Sequence, residues 1–445
     1  MTQRRELFSI GFVALTVLGG TVALGLGQTP PPRRLPPSIT GVPTAPAPIP
    51  TVSPVVGNQL QSTPQAPISR FLNDLRAFPP ETEQAVYTMR SGADWLWRMN
   101  QTNGRFLPGL NPSIRQWLES DHDLRQAFGT LALAEAAKFT GDDRFAARAN
   151  GSILSLLALT KLDAADATCR VPVATSERCN RVGFAAVLAL AIYSLPNPDA
   201  KQLADAEALC NFLAKQCRAD GSINCTDDGQ KADADGAMIC PGLALQALSM
   251  SQRLNPDAVK RDRIAKAVTY YRGVVKMQPQ PMLMATLLPA FVDFCLQINK
   301  DVATATAVFE MADWLATCQY PRTDSRTPQW IGGFKNNPTA TNEPGFESAL
   351  CVNAMCHAAK LTRQVPDLAR FHKYRIVAVE GLNFLRTLQY TDENANHFEK
   401  SFRTNYLNGG TRLAPSDGTI RIDATSQLVL AHLAFLQSGG ENRVE

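Results

Sequence analysis

The sequence predicts an all-α fold, an (α/α)6 toroid or barrel of six helical hairpins, preceded by an export signal or membrane anchor and a Pro-rich linker. Three observations carry this. At intervals of about sixty residues an amphipathic helix is followed by a polar loop and then by a very apolar helix, and internal periodicity of this kind marks repeat architectures. The apolar member of a pair, as in Phe184–Tyr193, is apolar on every side, as suits a helix buried all round. Pro and Asp residues recur between the pairs, where they stop one helix and cap the next.

Taken in order, the chain begins with Arg4-Arg5 ahead of an uncharged, mostly apolar run from Phe8 to Gly27. A positive segment followed by an apolar one is the layout of an export signal, and a run of roughly 20 apolar residues also suffices to span a bilayer. Residues 1–28 are therefore expected to be a signal peptide or a membrane anchor. The mature protein is expected to be periplasmic or extracellular, or held to the membrane through residues 8–27. Thr29 to Pro67 holds twelve prolines and cannot form a core. It reads as an extended linker over residues 29–67. Residues 68–445 are long enough for one large helical domain, and the repeats favour one over two.

Net charge is only +4 and the basic residues are scattered, which excludes nucleic acid as a partner; a monomer is expected. No apolar run beyond the N-terminus is expected to reach spanning length. Inner helices are expected to begin near Asp123, Arg181, Gly236, Pro281, Pro344 and Ala424. Outer helices include Ala200–Cys217 and Val302–Gln319. The turn signals between them are Thr140-Gly-Asp-Asp143, Pro196-Asn-Pro-Asp199, Asn255-Pro-Asp257, Asn299-Lys-Asp301 and Val365-Pro-Asp367. Apart from the tight Gln278–Gln280 connection, outer-to-inner loops are long and inner-to-outer loops short. One mouth of the barrel is thus elaborated and the other bare.

The clearest repeat segments are Gly92-Ala-Asp-Trp-Leu-Trp-Arg-Met-Asn-Gln-Thr-Asn-Gly-Arg-Phe106, Asn211-Phe-Leu-Ala-Lys-Gln-Cys-Arg-Ala-Asp-Gly-Ser-Ile223 and Ala312-Asp-Trp-Leu-Ala-Thr-Cys-Gln319, which reaches Gly332-Gly-Phe334. They resemble the repeats of terpenoid cyclases and protein prenyltransferase β-subunits, loosely, over Ser91 to Gln437. Related (α/α)6 barrels include polysaccharide lyases and glycoside hydrolases, so the fold does not fix the reaction. The resemblance implies two chemistries. A cyclase acid motif, Asp-x-Asp-Asp, is matched only in part by Asp233-Ala-Asp235-Gly236. A prenyltransferase zinc set would need Asp293, Cys295 and His357, which fall deep in their helices and read better as a buried Cys and a core His. Asp227-Asp-Gly-Gln-Lys-Ala-Asp-Ala-Asp-Gly236 has a calcium-like frame, but Lys231 and Gly242 stand where ligands are required. No cofactor is expected; the weaker alternative is an irregular cation site near Asp227, Asp233 and Asp235.

What remains is an acidic and aromatic collection at the elaborated mouth. Asp121 and Asp123 precede inner helix one, Asp233 and Asp235 helix three, Glu343 and Glu347 helix five, and Asp417 and Asp423 helix six. Asp121, Asp123, Asp233, Asp235, Glu343, Glu347 and Asp423 are the candidate catalytic carboxyls. One could donate a proton while another activates water or stabilises positive charge. Trp117, His122, Arg181, Trp330, Lys335 and Arg421 are candidate ligand-binding residues. The opposing reading is that acids collect at helix N-termini because they cap free N–H groups and answer the helix dipole.

An exported chain with ten cysteines can hold disulfides, and Cys169–Cys179 and Cys225–Cys240 would each staple a mouth loop. Three functions follow as expectations: a hydrolase or lyase acting on a glycan or similar polar polymer, a non-catalytic glycan- or protein-binding scaffold, and a cyclase or prenyl-transfer relative.

Overall fold

The structure, a computed structural model, describes residues 78–173, 180–225, 234–324 and 326–438, with the side chains of residues 234 and 235 outside that set. The expected signal or anchor, the linker and the start of the toroid at residue 68 lie outside the described residues. The chain is an (α/α)6 toroid. Its outer helices are α1 (Pro80–Met99), α3 (Asp143–Leu157), α5 (Ala200–Gln216), α7 (Ala258–Met277), α9 (Val302–Thr317) and α11 (Leu368–Leu388). Its inner helices are α2 (Asp123–Thr140), α4 (Arg181–Tyr193), α6 (Ala234–Leu254), α8 (Pro281–Asp293), α10 (Ser348–Gln364) and α12 (Ile422–Gln437).

Each inner helix packs on the next, α2 on α4 and so on to α12, and α12 packs back on α2. The ring is closed. The short inner-to-outer turns make the hairpins α2–α3, α4–α5, α6–α7, α8–α9 and α10–α11, while α12 takes α1, from the other end of the chain, as its partner. Side chains set the ends of these helices. Asp142, Asp199, Asp257, Asp301 and Asp367 each accept a backbone N–H in the first turn of the following outer helix. The Asp199 cap is doubled by Gln202, which bonds back to the Asp199 N–H.

Five of the six inner helices start within two residues of the expected Asp123, Arg181, Gly236, Pro281 and Ala424; α10 starts four residues after Pro344. One expectation is corrected. Pro281–Asn299, which is α8 with a π-helical turn over Phe294–Asn299, has a mean hydropathy of 1.6 over a length sufficient to cross a membrane. It is a core helix, wedged between α6 and α10 and mostly buried.

The repeat motif has a structural explanation. In four repeats a residue one or two positions past the outer helix makes an isolated antiparallel bridge to a residue further on: Asn100 to Phe106, Cys217 to Ile223, Gln319 to Phe334 and Gln389 to Thr411. Two residues before each of those partners stands a glycine with positive φ, at Gly104, Gly221, Gly332 and Gly409. Each presses against a backbone carbonyl of the next outer helix, where a Cβ would overlap it. In three copies the helix-ending amide completes the joint. Asn100 donates to Gly104 O and Ser152 Oγ, Gln319 to Gly332 O and Val377 O, and Gln389 to Gly409 O and Thr88 O. The motif stitches neighbouring outer helices around the ring. Gln389 makes the stitch that joins α11 to α1 and closes it. Gln389→Ala is expected to cost about 2–3 kcal/mol, because two buried carbonyls lose their donor; chemical denaturation of the variant checks this, and a loss below ~0.5 kcal/mol would refute it.

Candidate functional site

Long connections crowd the end of the barrel where the inner helices start, and short strands order them. β1 (Gly109–Asn111) pairs antiparallel with β2 (Gln116–Trp117) and with β5 (Ile420–Arg421). Gly109 is required there: a Cβ would overlap the Ile420 carbonyl. This small sheet ties the loop before α2 to the loop before α12. It brings Asp121 and Asp123 beside Asp423, residues 300 positions apart in sequence. A second pair, β3 (Thr160–Leu162) with β4 (Arg170–Pro172), orders the loop before α4.

The acids gathered here are neutralised. Arg105 Nη2 donates to Asp121 Oδ2 at 2.6 Å and to Asp123 Oδ1 at 3.0 Å. Asp121 Oδ1 also accepts from Gln126 Nε2 at 2.8 Å. Gln126, fully buried, holds the repeat loop on both sides, accepting from Phe106 N–H and donating to Phe106 O. Arg421 grips Asp423 with two bonds, Nε to Oδ1 at 2.9 Å and Nη2 to Oδ2 at 2.6 Å, with its guanidinium 5.2 Å above the Phe346 ring. Arg125 approaches Asp423 from the other side, Nε to Oδ2 at 3.7 Å.

Burial alone would raise the Asp423 carboxyl pKa, but Arg421 and then Arg125 outweigh it and hold it below the ordinary carboxylate value. Burial likewise opposes the charges of Arg105 and Arg421. Asp121 and Asp123 for the former, and Asp423 for the latter, overcome it and raise both. For Arg125 burial prevails, and its pKa is lowered. Asp423 is thus held ionised. That suits an ion-pair partner and not a proton donor.

The other candidates fall into place around this network. His122 caps α2, its Nδ1 accepting from Leu124 N–H at 3.2 Å. Glu343 accepts from the Ser416 backbone at 2.9 Å and from its hydroxyl, joining the loops before α10 and α12. Asp417 accepts from Thr419 N–H within that second loop. Glu347, immediately before α10, makes no side-chain cap bond there, and its charge acts on Arg421. Trp117 stands edge-on to Tyr406 at 5.5 Å. Trp330 packs against Tyr320 at 5.5 Å, and Lys335 lies 4.7 Å over the same tyrosine. Arg181 opens α4 and lies 6.0 Å over Phe212.

Asp233 and the side chain of Asp235 lie outside the described residues, as do Asp227 and Cys179. Cys225 and Cys240 are not bonded to each other, contrary to expectation. The Cys225 thiol turns to the Ile223 carbonyl, and the Cys240 sulfur lies 2.8 Å from where a Cβ on Gly183 would be. Asp293 pairs with Arg253 at 4.0 Å and Cys295 donates to Asp301 O, so neither turns to His357. Among the described residues no three His, Cys, Asp or Glu side chains gather as a metal site would need.

Arg105, Arg125 and Gln126 were not among the residues singled out from sequence. Arg125-Gln126 did leave a signal, a polar pair inside an otherwise apolar inner helix. A groove of about 620 Å3 lies elsewhere, on the outer wall between α1 and α3 beside Trp97, Arg144 and Arg148. Arg144 is already tied to Asp142 there.

No protein-family model matches the sequence, and no curated protein matches it. Solved structures do. The α-1,6-mannanase of Salegentibacter sp. HEL1_6 matches with a TM-score of 0.57 at 12% identity, over 79% of this chain and 99% of that one. The unsaturated glucuronyl hydrolase of Streptococcus agalactiae matches with a TM-score of 0.56 at 13% identity, over 85% and 97%. An unsaturated glucuronyl hydrolase specific for heparin matches with a TM-score of 0.55 at 14% identity, over 79% and 96%. At these identities the likeness is one of fold. It corrects the resemblance to terpenoid cyclases and prenyltransferases, because these solved toroids are a mannanase and unsaturated glucuronyl hydrolases. The Trp-Leu-x-x-x-Gln segments reflect how outer helices are stitched together, which any toroid can use.

Proposed function

We propose that the protein is an exported or membrane-anchored toroid that binds a glycan at the elaborated mouth. The observation that carries this reading is the convergence, on one rim, of a buried Arg–Asp network with aromatic faces at Phe346, Trp117 and Tyr406. Fixed polar groups beside flat apolar surfaces suit a sugar chain, which presents hydroxyls at its edges and C–H groups on its faces. Two further points support it. The solved toroids of similar fold are named for glycan substrates, and one was solved in complex with α-1,6-mannotriose. Arg4-Arg5 ahead of an apolar run supports delivery to a compartment where glycans lie; fractionation of cells expressing the full chain tests that part, and a cytosolic location would refute it.

Hydrolysis is the second reading, and one sequence observation favours it. The mannanase solved with mannotriose was an inactive variant with two successive aspartates replaced. This chain carries successive aspartates, Asp227-Asp228, in the connection before α6, with Asp233 and Asp235 following. Asp121, Asp123 and Asp423 are held in ion pairs and Glu343 and Asp417 in loop bonds, which favours that connection as the source of the proton donor.

The full chain should be screened for binding and for release of reducing ends on neutral and acidic polysaccharides. Binding is expected. If turnover accompanies it, replacing Asp227 and Asp228 by Asn should lower the rate on the order of a hundredfold or more with binding retained. Binding without turnover identifies a scaffold. If no polysaccharide is bound, the reading fails.

A further inference from the structure

From the mouth network we infer that the glycan taken here is acidic, and that Arg125 with Arg421 receives a sugar carboxylate. The inference rests on the glycan-binding reading and narrows it. Three guanidinium groups meet at this rim, and two are provided for. Arg105 shares Asp121 and Asp123, and Arg421 takes both oxygens of Asp423. Arg125 is left over. Its side chain is only 8% exposed, and its one acidic contact is at 3.7 Å, beyond hydrogen-bond length, to an oxygen that Arg421 already holds. Its Nη1 is buried without a hydrogen-bond partner. Asp121 also lies within electrostatic reach, but its oxygens are engaged by Arg105, Gln126 and the His122 N–H.

A buried N–H donor on a charged group without an acceptor is costly to maintain. Among the described residues Asp423 is the one carboxylate that bonds directly here; Glu347 and Asp417 act on Arg421, and Asp121 on Arg125, through space, and no acceptor meets Arg125 Nη1. The group that answers it best carries negative charge and two oxygens in a plane, because a guanidinium presents its donors as a planar fork. A uronate carboxylate has that shape. A hydroxyl of a neutral sugar could accept from Nη1, but as a single neutral acceptor it makes the weaker bond and does not match the fork. Phe346, stacked beneath Arg421, would form an apolar floor beside it.

The test is calorimetric binding of the full chain to oligogalacturonate and glucuronate-containing oligosaccharides, to the same oligosaccharides with their carboxylates reduced to alcohols, and to α-1,6-mannotetraose. The acidic forms are expected to bind at least tenfold more tightly than the reduced and neutral ones. Arg125→Gln is expected to remove that preference, while Asp423 keeps its bidentate partner and the fold is retained. Because the carboxyl-reduced probes are compared on the unaltered protein, the outcome does not depend on the variant folding. Equal or tighter binding of the reduced or neutral sugars would overturn the inference and leave the glycan reading standing. Binding of none of them would overturn both.

Discussion

Replacing Gly242 by Ala is expected to destabilise the protein by about 3 kcal/mol, the upper part of the range for overpacking a core. Gly242 lies on α6 where that helix crosses α8, and an added Cβ would overlap the backbone carbonyl of Thr286. Backbone cannot rotate away as a side chain can. The seam is also bonded: Gln246 Nε2 donates to Thr286 O at 2.9 Å, and Thr286 Oγ1 donates to Met238 O at 3.2 Å. Moving the helices apart to admit a methyl group would therefore break these contacts as well. Gly273, on outer helix α7, supplies the control, because nothing lies within 4 Å of the position its Cβ would take. Gly273→Ala should stabilise by roughly 0.5–1 kcal/mol, the ordinary gain from removing glycine inside a helix. Opposite signs for the same substitution would show that close approach decides the outcome and helix propensity does not. Denaturant unfolding followed by far-ultraviolet circular dichroism measures both. A loss under ~1 kcal/mol at Gly242 would mean that α6 and α8 are not in contact there.

Asp423→Asn is the second large effect expected, about 3–5 kcal/mol, because removing one partner strands buried charge of the opposite sign. Arg421 and Arg125 would both lose their carboxylate, and each is more than nine-tenths buried. The pH dependence has a definite sign. The folded pKa of Asp423 lies below its unfolded value, about 3.9 for an ordinary Asp. Its contribution is complete above that unfolded value and is lost as pH falls toward and through the folded one, where the native carboxylate at last takes up a proton. The wild-type protein should therefore lose stability on acidification below about pH 4. The Asn variant should show a shallower loss over the same window. It will not be flat, because Asp142, Asp301 and Asp313 also sit below their ordinary values through bonds to Arg144, Thr304 and Lys373. Melting temperatures of the two proteins between pH 2.5 and 7 compare the slopes, and identical slopes would show that Asp423 carries no buried pair.

The two readings of the mouth acids set out from the sequence have different fates at different residues. Capping was the bland alternative, yet Asp121 and Asp123 give oxygens to Arg105, Asp423 gives both of its own to Arg421, and Glu347 makes no side-chain cap bond. The cap of α2 is His122. Glu343 and Asp417 are loop braces. The acids were legible and their partners were not. An Asp at a helix start is visible one residue at a time, whereas the Arg125–Asp423 pair joins the first inner helix to the last, beside the pairing of β5 with β1 across more than 300 residues. Strands of two and three residues have no period to read.

The sequence by itself determined the architecture: six apolar helices that cannot face water, six amphipathic ones to cover them, and Asp caps at short turns that force each hairpin back on itself. It also determined which mouth is elaborated, since loop lengths are counted directly. These are local properties, written in composition and spacing. Tertiary structure alone decided that α1 partners α12, that Gln389 closes the ring, and that three arginines answer the acids of one rim while the Nη1 of Arg125 is left without an acceptor. Those outcomes depend on which distant segments touch, and in a closed ring the first and last helices meet only because the helices between them have already turned the full circle.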